Sequence, residues 1–144
     1  MYETVLVPVD GSDESITAAE EALEITAPDG TLHALSVIEE LPMYRRSGKA
    51  EKFEDEDDEE ARDRAESATA EVKELAESAE IDCVTAIEDG VPSREIIAYA
   101  ESVDADAIVL GKRGLSDIAD DMLGSTTERV IRSAPFTVVS VAGS

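Results

Sequence analysis

Cysteine and histidine are almost absent from this chain of 144 residues, which contains one of each, Cys83 and His33. A single cysteine cannot close an internal disulfide bond, so the sequence favours a reducing compartment, the cytoplasm. One cysteine and one histidine also leave no recognisable zinc site or thiol-catalytic pair. We therefore expect both side chains to lie in or beside the core.

Long apolar runs are missing as well, since no stretch approaches the roughly 18 residues that a membrane-spanning helix needs. The first strand-like segment begins at the N-terminus with no basic region before it, so no signal peptide is expected. The length suits one domain over residues 1–144, which can bury an ordinary core.

Basic residues are scarce: 12 lysines and arginines stand against 35 acids, which gives a formal net charge of −23. This balance argues against nucleic-acid binding, because such binding needs a basic face. The acids are spread along the chain rather than confined to one end, so a disordered acidic tail does not account for them. Self-repulsion on this scale is tolerated where salt screens it, and we therefore expect a halophilic protein.

Strand-like and helix-like segments alternate along the chain. β-rich apolar runs predict strands at residues 4–9, 31–38, 81–87, 105–110 and 136–141. Helix start signals or stripes predict helices after Ser12, after Ser93 and over 125–133, with a turn at 28–30. A further helix is predicted over 61–79 by an apolar stripe with steps of three and four residues: Ala61, Ala65, Ala68, Val72, Leu75 and Ala79. Such alternation predicts an α/β domain with a mostly parallel sheet that is covered by helices on both faces.

One segment, residues 39–60, breaks this alternation. It contains Pro42, Gly48 and eight acids between Glu51 and Glu60. Long loops in compact domains are either functional or mobile, so we expect an acidic, solvated and mobile insertion. Three large apolar side chains leave open a lid or a partner contact: Met43, Tyr44 and Phe53.

Three of the eight glycines fall in one short stretch, where Gly111, Gly114 and Gly124-Ser125 form a Gly-x2-Gly-x9-Gly-Ser pattern. Glycine lets backbone amides approach an anion without a Cβ in the way, and the amides at a helix N-terminus favour phosphate. Lys112 and Arg113 add positive charge. If the first and fourth strands are neighbours, this stretch shares one crevice with Asp10-Gly11-Ser12.

Structural explanations for the same residues remain open. Ser125 and Glu128 fit a capping box, which needs no ligand. Asp10 can cap the first helix or hydrogen-bond within its own turn. The combination at one end of the sheet nevertheless favours a nucleotide.

The order of motifs resembles the universal stress protein family, in its nucleotide-binding branch. The resemblance covers nearly the whole chain except residues 39–60, and it implies an open five-stranded parallel sheet of strand order 3-2-1-4-5. The segments that carry it are VLVPVDGS at Val5–Ser12, SVIEE at Ser36–Glu40, DGVPSREII at Asp89–Ile97, IVLGKRG at Ile108–Gly114 and LGSTTERVIRSAPFTVVSV at Leu123–Val141.

The resemblance also implies ATP, or AMP or ADP, as the ligand. On this basis Pro8, Val9 and Asp10 line the adenine and ribose side, while Val37 offers backbone hydrogen bonds to the adenine and Leu110 packs nearby. The resemblance implies that the remaining site residues bind the ribose and phosphates: Gly111, Arg113, Gly114, Gly124, Ser125, Thr126 and Thr127. A divalent ion such as magnesium on the phosphates is plausible, with no protein ligand assigned.

The sequence offers no obvious general base for phosphoryl transfer, so we expect nucleotide binding with at most slow hydrolysis. A receiver-type signalling domain is one alternative, because this chain has Asp89 after the third strand and Asp10 and Asp13 after the first. A receiver domain also needs a lysine after the fifth strand, where this sequence has only Ala142-Gly143-Ser144. A structural dimer without a ligand is the other.

The last predicted strand carries no charge in a chain that is 33% charged. An uncharged strand at the edge of a sheet invites pairing with another chain. The family resemblance also implies dimers through this strand, so we expect a homodimer whose contact includes Phe136, Val138, Val139 and Val141.

Overall fold

Five strands and four helices alternate in the computed structural model, which describes residues 1–39, 50–112 and 125–141, and only the backbone of residues 50–58. The strands are β1 (Tyr2–Pro8), β2 (Thr26–Glu39), β3 (Asp82–Gly90), β4 (Ala107–Gly111) and β5 (Thr137–Val141). The helices are α1 (Asp13–Ile25), α2 (Ala50–Ser78), α3 (Pro92–Ser102) and α4 (Ser125–Ser133). No helix among these residues is long and apolar enough to cross a membrane.

The strands form one sheet of order β3-β2-β1-β4-β5, and every pairing is parallel. This confirms the predicted strand order. β1 lies at the centre, where Val5 is in register with Leu32 of β2 and with Ala107 of β4. Strand order reverses at β1, so the loops after β1 and β4 meet at the carboxyl end of the sheet.

Each face of the sheet has its own apolar core. Val5 and Val7 of β1 face α1 and α2, where Ala18, Ala22 and Val72 are buried. Successive side chains of a strand alternate between faces, so Leu6 points the other way. It packs among residues of α3 and α4, including Ile96 and Val130. Helices therefore cover both faces, as the sequence predicts.

The predicted insertion at 39–60 is partly wrong, because α2 begins at Ala50 rather than at residue 61. Residues 50–60 lack an apolar stripe, and a sequence without one predicts a loop. Acids near a helix N-terminus are nevertheless favoured by the helix dipole, and the periodic segment that follows can extend the helix backwards. Residues 40–49, with Met43 and Tyr44, lie outside the described part of the chain, as does the side chain of Phe53.

The predicted turn at residues 28–30 is an irregularity inside β2. Tyr2 is in register with Thr26, but Thr4 is in register with Thr31, so β2 accommodates extra residues at this point. Gly30 fits there because a Cβ would lie only 2.6 Å from the backbone oxygen of Glu3. The other elements differ from the predicted ranges by a few residues at their ends, where boundaries are least determined by pattern.

Candidate functional site

A cleft of about 470 Å³ opens at the carboxyl ends of the central strands. Its walls come from the loop after β1, the end of β2, the end of β4, the middle of α2 and the first turns of α3 and α4. In open α/β sheets this position, beside the reversal of strand order, is where ligands bind. The volume lies within the range of small-molecule sites.

Nine of the twelve predicted site residues line this cleft: Pro8, Val9, Asp10, Val37, Leu110, Gly111, Ser125, Thr126 and Thr127. The other three, Arg113, Gly114 and Gly124, lie outside the described residues. The glycine pattern is therefore seen only at its first glycine and at the serine that ends it. The fold brings residues from four separate parts of the sequence to one place.

The loop after β1 is held by side-chain hydrogen bonds to the backbone. Oδ1 of Asp10 accepts a hydrogen bond from the Ser12 amide at 2.9 Å, so Asp10 bonds within its own turn. Ser12 caps α1, since its Oγ accepts from the Ser15 amide at 3.1 Å. Gly11 has a φ of +88°, a conformation that glycine adopts without strain. The turn thus fixes the Asp10 carboxylate at the wall of the cleft.

Gly111 and Thr127 join the end of β4 to the start of α4. The Thr127 hydroxyl, which is buried, donates a hydrogen bond to the Gly111 carbonyl at 2.9 Å. A Cβ at Gly111 would lie 3.0 Å from the backbone oxygen of Glu14, so glycine allows α1 to pack closely against β4. Two explanations therefore account equally for glycine at this position: close packing of α1 against β4, and access for a ligand.

The first turn of α4 faces the cleft through Ser125 and Thr126. The first amides of a helix have no partner within the helix, and the helix dipole favours negative charge there. Glu128 forms an ion pair with Arg132 one turn later, with 2.7 Å between Oε1 and Nη2. This end of the helix is suited to an anionic group.

Val37 presents backbone groups to the cleft. β1 ends at Pro8, and the Val9 amide donates to the Leu35 carbonyl at 2.8 Å. Backbone groups of alternate residues in a strand point to the same side, so those of Val37 point as those of Leu35 do, beyond the end of β1. An edge with one donor and one acceptor suits the rim of a flat heterocycle.

Several cleft residues were missed by reasoning from the sequence: Ser15, Leu35, Ser36, Ile38, Glu39, Ala61, Arg64, Ala65, Pro92 and Ile96. The sequence predicts Ala61 and Ala65 only as members of the apolar stripe over 61–79. That stripe shows which side of a helix is buried, but not that the helix passes beside the end of β1. Among the described lining residues, the charged side chains are Asp10, Glu39 and Arg64.

His33 and Cys83 lie elsewhere, beside the core, as expected. Nδ1 of His33 is 2.9 Å from the Tyr99 hydroxyl, and burial lowers the pKa of the imidazole. Cys83 is half-buried against the core under α2, and burial raises the pKa of its thiol. No group of three or more potential metal-binding side chains occurs in the described ranges.

Comparison with known proteins agrees with this architecture. Universal stress protein MJ0531 of Methanocaldococcus jannaschii is 33% identical over 142 residues, which cover 98% of this chain and 82% of that protein. The solved structure of MJ0577 from the same organism has a TM-score of 0.81 at 27% identity. The matched region covers 100% of this chain and 98% of the MJ0577 chain. A universal stress protein solved in complex with cAMP has a TM-score of 0.73 at 30% identity, covering 99% of both chains.

The family model of the universal stress proteins matches residues 1–142. This match spans the strands, the helices and all twelve of the predicted site residues. The chain therefore belongs to the universal stress protein family.

Proposed function

We propose that the cleft binds an adenine nucleotide, with ATP as the expected ligand and AMP or ADP as alternatives. The observation that supports this proposal is the convergence of nine predicted residues on one cleft beside the reversal of strand order. The relative solved with cAMP, which is 30% identical, binds a ligand of the same chemical class.

In this proposal the adenine ring lies in the apolar part of the cleft, between α2 and α3. Ala65, Ile96 and Leu110 supply apolar surface there, and the Val37 backbone meets the edge of the ring. The ribose lies near Asp10. The phosphates lie at the first turn of α4, where Ser125 and Thr126 offer hydroxyls beside the helix amides.

We propose a nucleotide-responsive binding protein rather than an efficient catalyst. No histidine or lysine lines the cleft among the described residues, and the Asp10 carboxylate already accepts a hydrogen bond from its own turn. A magnesium ion, if bound, would rely mainly on phosphate oxygens and water, because it needs few protein ligands. Asp10 and Glu39 are the carboxylates that the described part of the cleft offers.

The remaining expectations belong to the same proposal. We propose a homodimer that pairs through β5, in the cytoplasm of an organism that keeps high internal salt. β5 is an edge strand of the sheet. The net charge of −23 and the single cysteine support the other two points.

A matched pair of substitutions on α2 tests the ligand assignment. Ala61 lines the cleft, whereas Ala70 is exposed on the same helix away from it. Ala61→Phe should fill the part of the cleft in which the adenine ring is proposed to lie. ATP binding should then weaken by about 100-fold or more, a loss of roughly 2.7 kcal/mol in binding free energy. Ala70→Phe should leave the affinity unchanged. Isothermal titration with AMP, ADP and ATP, with and without magnesium, measures both variants against the parent.

Equal ATP affinity in Ala61→Phe and the parent would rule out this cleft as the ATP-binding site. Failure of the parent to bind any of the three nucleotides would favour a structural dimer without a ligand. Native mass spectrometry of gently purified protein provides an independent check, since a retained nucleotide adds its mass to the chain.

A further inference from the structure

Arg64 brings a positive charge to the cleft from α2. A Cβ at Gly11 would lie 3.4 Å from Cγ of Arg64 and 3.8 Å from its Cδ, so the stem of the arginine rests on the loop after β1. Arg64 lines the cleft beside Ala61 and Ala65, whose side chains are short. The guanidinium therefore has room to turn towards a ligand.

Arg64 is the cationic side chain among the described residues that line the cleft. The other charged side chains that line it, within the described ranges, are the carboxylates of Asp10 and Glu39. Two carboxylates repel an anionic ligand, and the repulsion from Asp10, which is half-buried, is screened less than that from Glu39, which is exposed. One guanidinium at the same wall offsets part of this repulsion.

We infer that Arg64 is a specificity-determining contact that selects ligands carrying phosphate over uncharged nucleosides. The inference rests on the proposed nucleotide binding and extends it, because it assigns charge selection to α2. A guanidinium presents several N–H donors in a planar fork that matches two oxygens of a phosphate. A long flexible stem beside Gly11 allows that fork to close over the ligand.

Arg62 provides a control with the same charge on the same helix. It is not among the cleft-lining residues, and it pairs with Asp89 on β3 at 3.7 Å, where both side chains are about half exposed. Residues two positions apart on an α-helix point to nearly opposite sides. Arg62→Gln thus removes one charge from α2 without removing a group from the cleft.

The experiment compares Arg64→Gln, Arg64→Lys and Arg62→Gln by titration with ATP, AMP and adenosine at one fixed high salt concentration. Loss of a charged hydrogen-bonding partner should weaken ATP binding by about 10- to 100-fold in Arg64→Gln. Arg64→Lys should fall between Arg64→Gln and the parent, since it keeps the charge but not the fork. Adenosine binding should change by less than about twofold, and Arg62→Gln should bind ATP like the parent.

Equal losses of ATP affinity in Arg64→Gln and Arg62→Gln would overturn the inference, because net charge alone would explain both. Equal losses for adenosine and ATP in Arg64→Gln would also overturn it, since the side chain would then only shape the cleft. A parent chain that binds none of the three ligands contradicts the proposed function itself. Circular dichroism melts of each variant show whether the fold is intact.

Discussion

At the scale of single residues, the one histidine shows how a half-buried polar group is satisfied. The His33 and Tyr99 rings meet edge to face with centroids 5.5 Å apart, and Nδ1 lies 2.9 Å from the Tyr99 hydroxyl. Burial lowers the pKa of His33, which means that the folded state disfavours the charged imidazole. The contact joins β2 to α3 on the face of the sheet opposite α2.

His33 should make stability depend on pH near neutrality. Because its pKa is lower in the folded state, the unfolded chain takes up the proton first as pH falls below about 6.5. His33 therefore contributes its full stability above that pH and loses it as pH falls through the lowered value. Urea unfolding of the parent at pH 7.5 and pH 5.5, in constant high salt, should show the loss.

His33→Gln is the control for this prediction, since the chain has no other histidine. The difference in unfolding free energy between parent and variant should shrink from pH 7.5 to pH 5.5, because acids titrate alike in both chains. A difference that stays constant would mean that His33 titrates in the folded state as it does in the unfolded state.

Individual residues also show how far the sequence could predict the site. Gly111 was expected to clear space for an anion, and its position at the cleft follows from the motif. Its close approach to the Glu14 backbone could not be predicted, because it depends on how α1 settles against β4. Arg64 was missed for a similar reason, since its neighbour Gly11 is distant in sequence and the contact exists only in the fold.

At the scale of elements, periodicity predicted the type of each helix and strand better than its ends. In α2 the predicted stripe was right at Ala65, Ala68 and Val72, whereas near its end Ala76 is buried and Ala79 is exposed. The fully buried runs of β1 and β4 are short and apolar, as in other parallel sheets, and could be recognised for that reason. The start of α2 was missed because acidic residues give no apolar period.

β5 combines a packed strand with an open edge. Val139 packs towards the core under α1, and Val138 packs towards the core under α4. The Lys112 amide donates to the Val141 carbonyl, so alternate residues Val139 and Val141 bond towards β4. The backbone groups of Val138 and Ser140 therefore point away from the sheet, where a second chain could pair.

Ser140→Pro should dissociate the proposed dimer and leave the monomer folded. The Ser140 side chain is exposed, and proline removes an amide that points away from β4, so only the outer edge loses a donor. Sedimentation in high salt should show a monomer for Ser140→Pro and a dimer for both the parent and the control Ser140→Ala. A dimeric Ser140→Pro, or a monomeric parent, would contradict pairing through β5.

At the scale of the whole molecule, charge opposes folding. The 35 acids outnumber the 12 bases, and acids continue to the C-terminal end of α2, where the helix dipole disfavours them. Helix α2 has no basic residue in its last turn. Repulsion between such groups acts over about 30 Å at about 0.01 M salt, but over about 3 Å at about 1 M.

Thermal stability should therefore rise with salt into the molar range. The melting temperature of the parent, followed by circular dichroism, should increase between about 0.1 M and about 2 M KCl as screening tightens. Replacing Glu71, Glu74 and Glu77 by Gln should raise the melting temperature at low salt and flatten the rise. A melting temperature that is flat for the parent across this range would count against adaptation to high salt.

The central position of β1 has a consequence for biosynthesis. Val5 leaves the ribosome well before its neighbour Ala107 in β4, which is 102 residues further along the chain. At about 5–20 residues per second, translation takes roughly 5 to 20 seconds to cover that interval. Until β4 has been synthesised, the apolar edge of Val5, Leu6 and Val7 lacks one partner strand. The core under α4 has not yet formed either. The nascent chain can form the β1–β2–β3 half first, but its sheet is complete only after β4 and β5 have been synthesised.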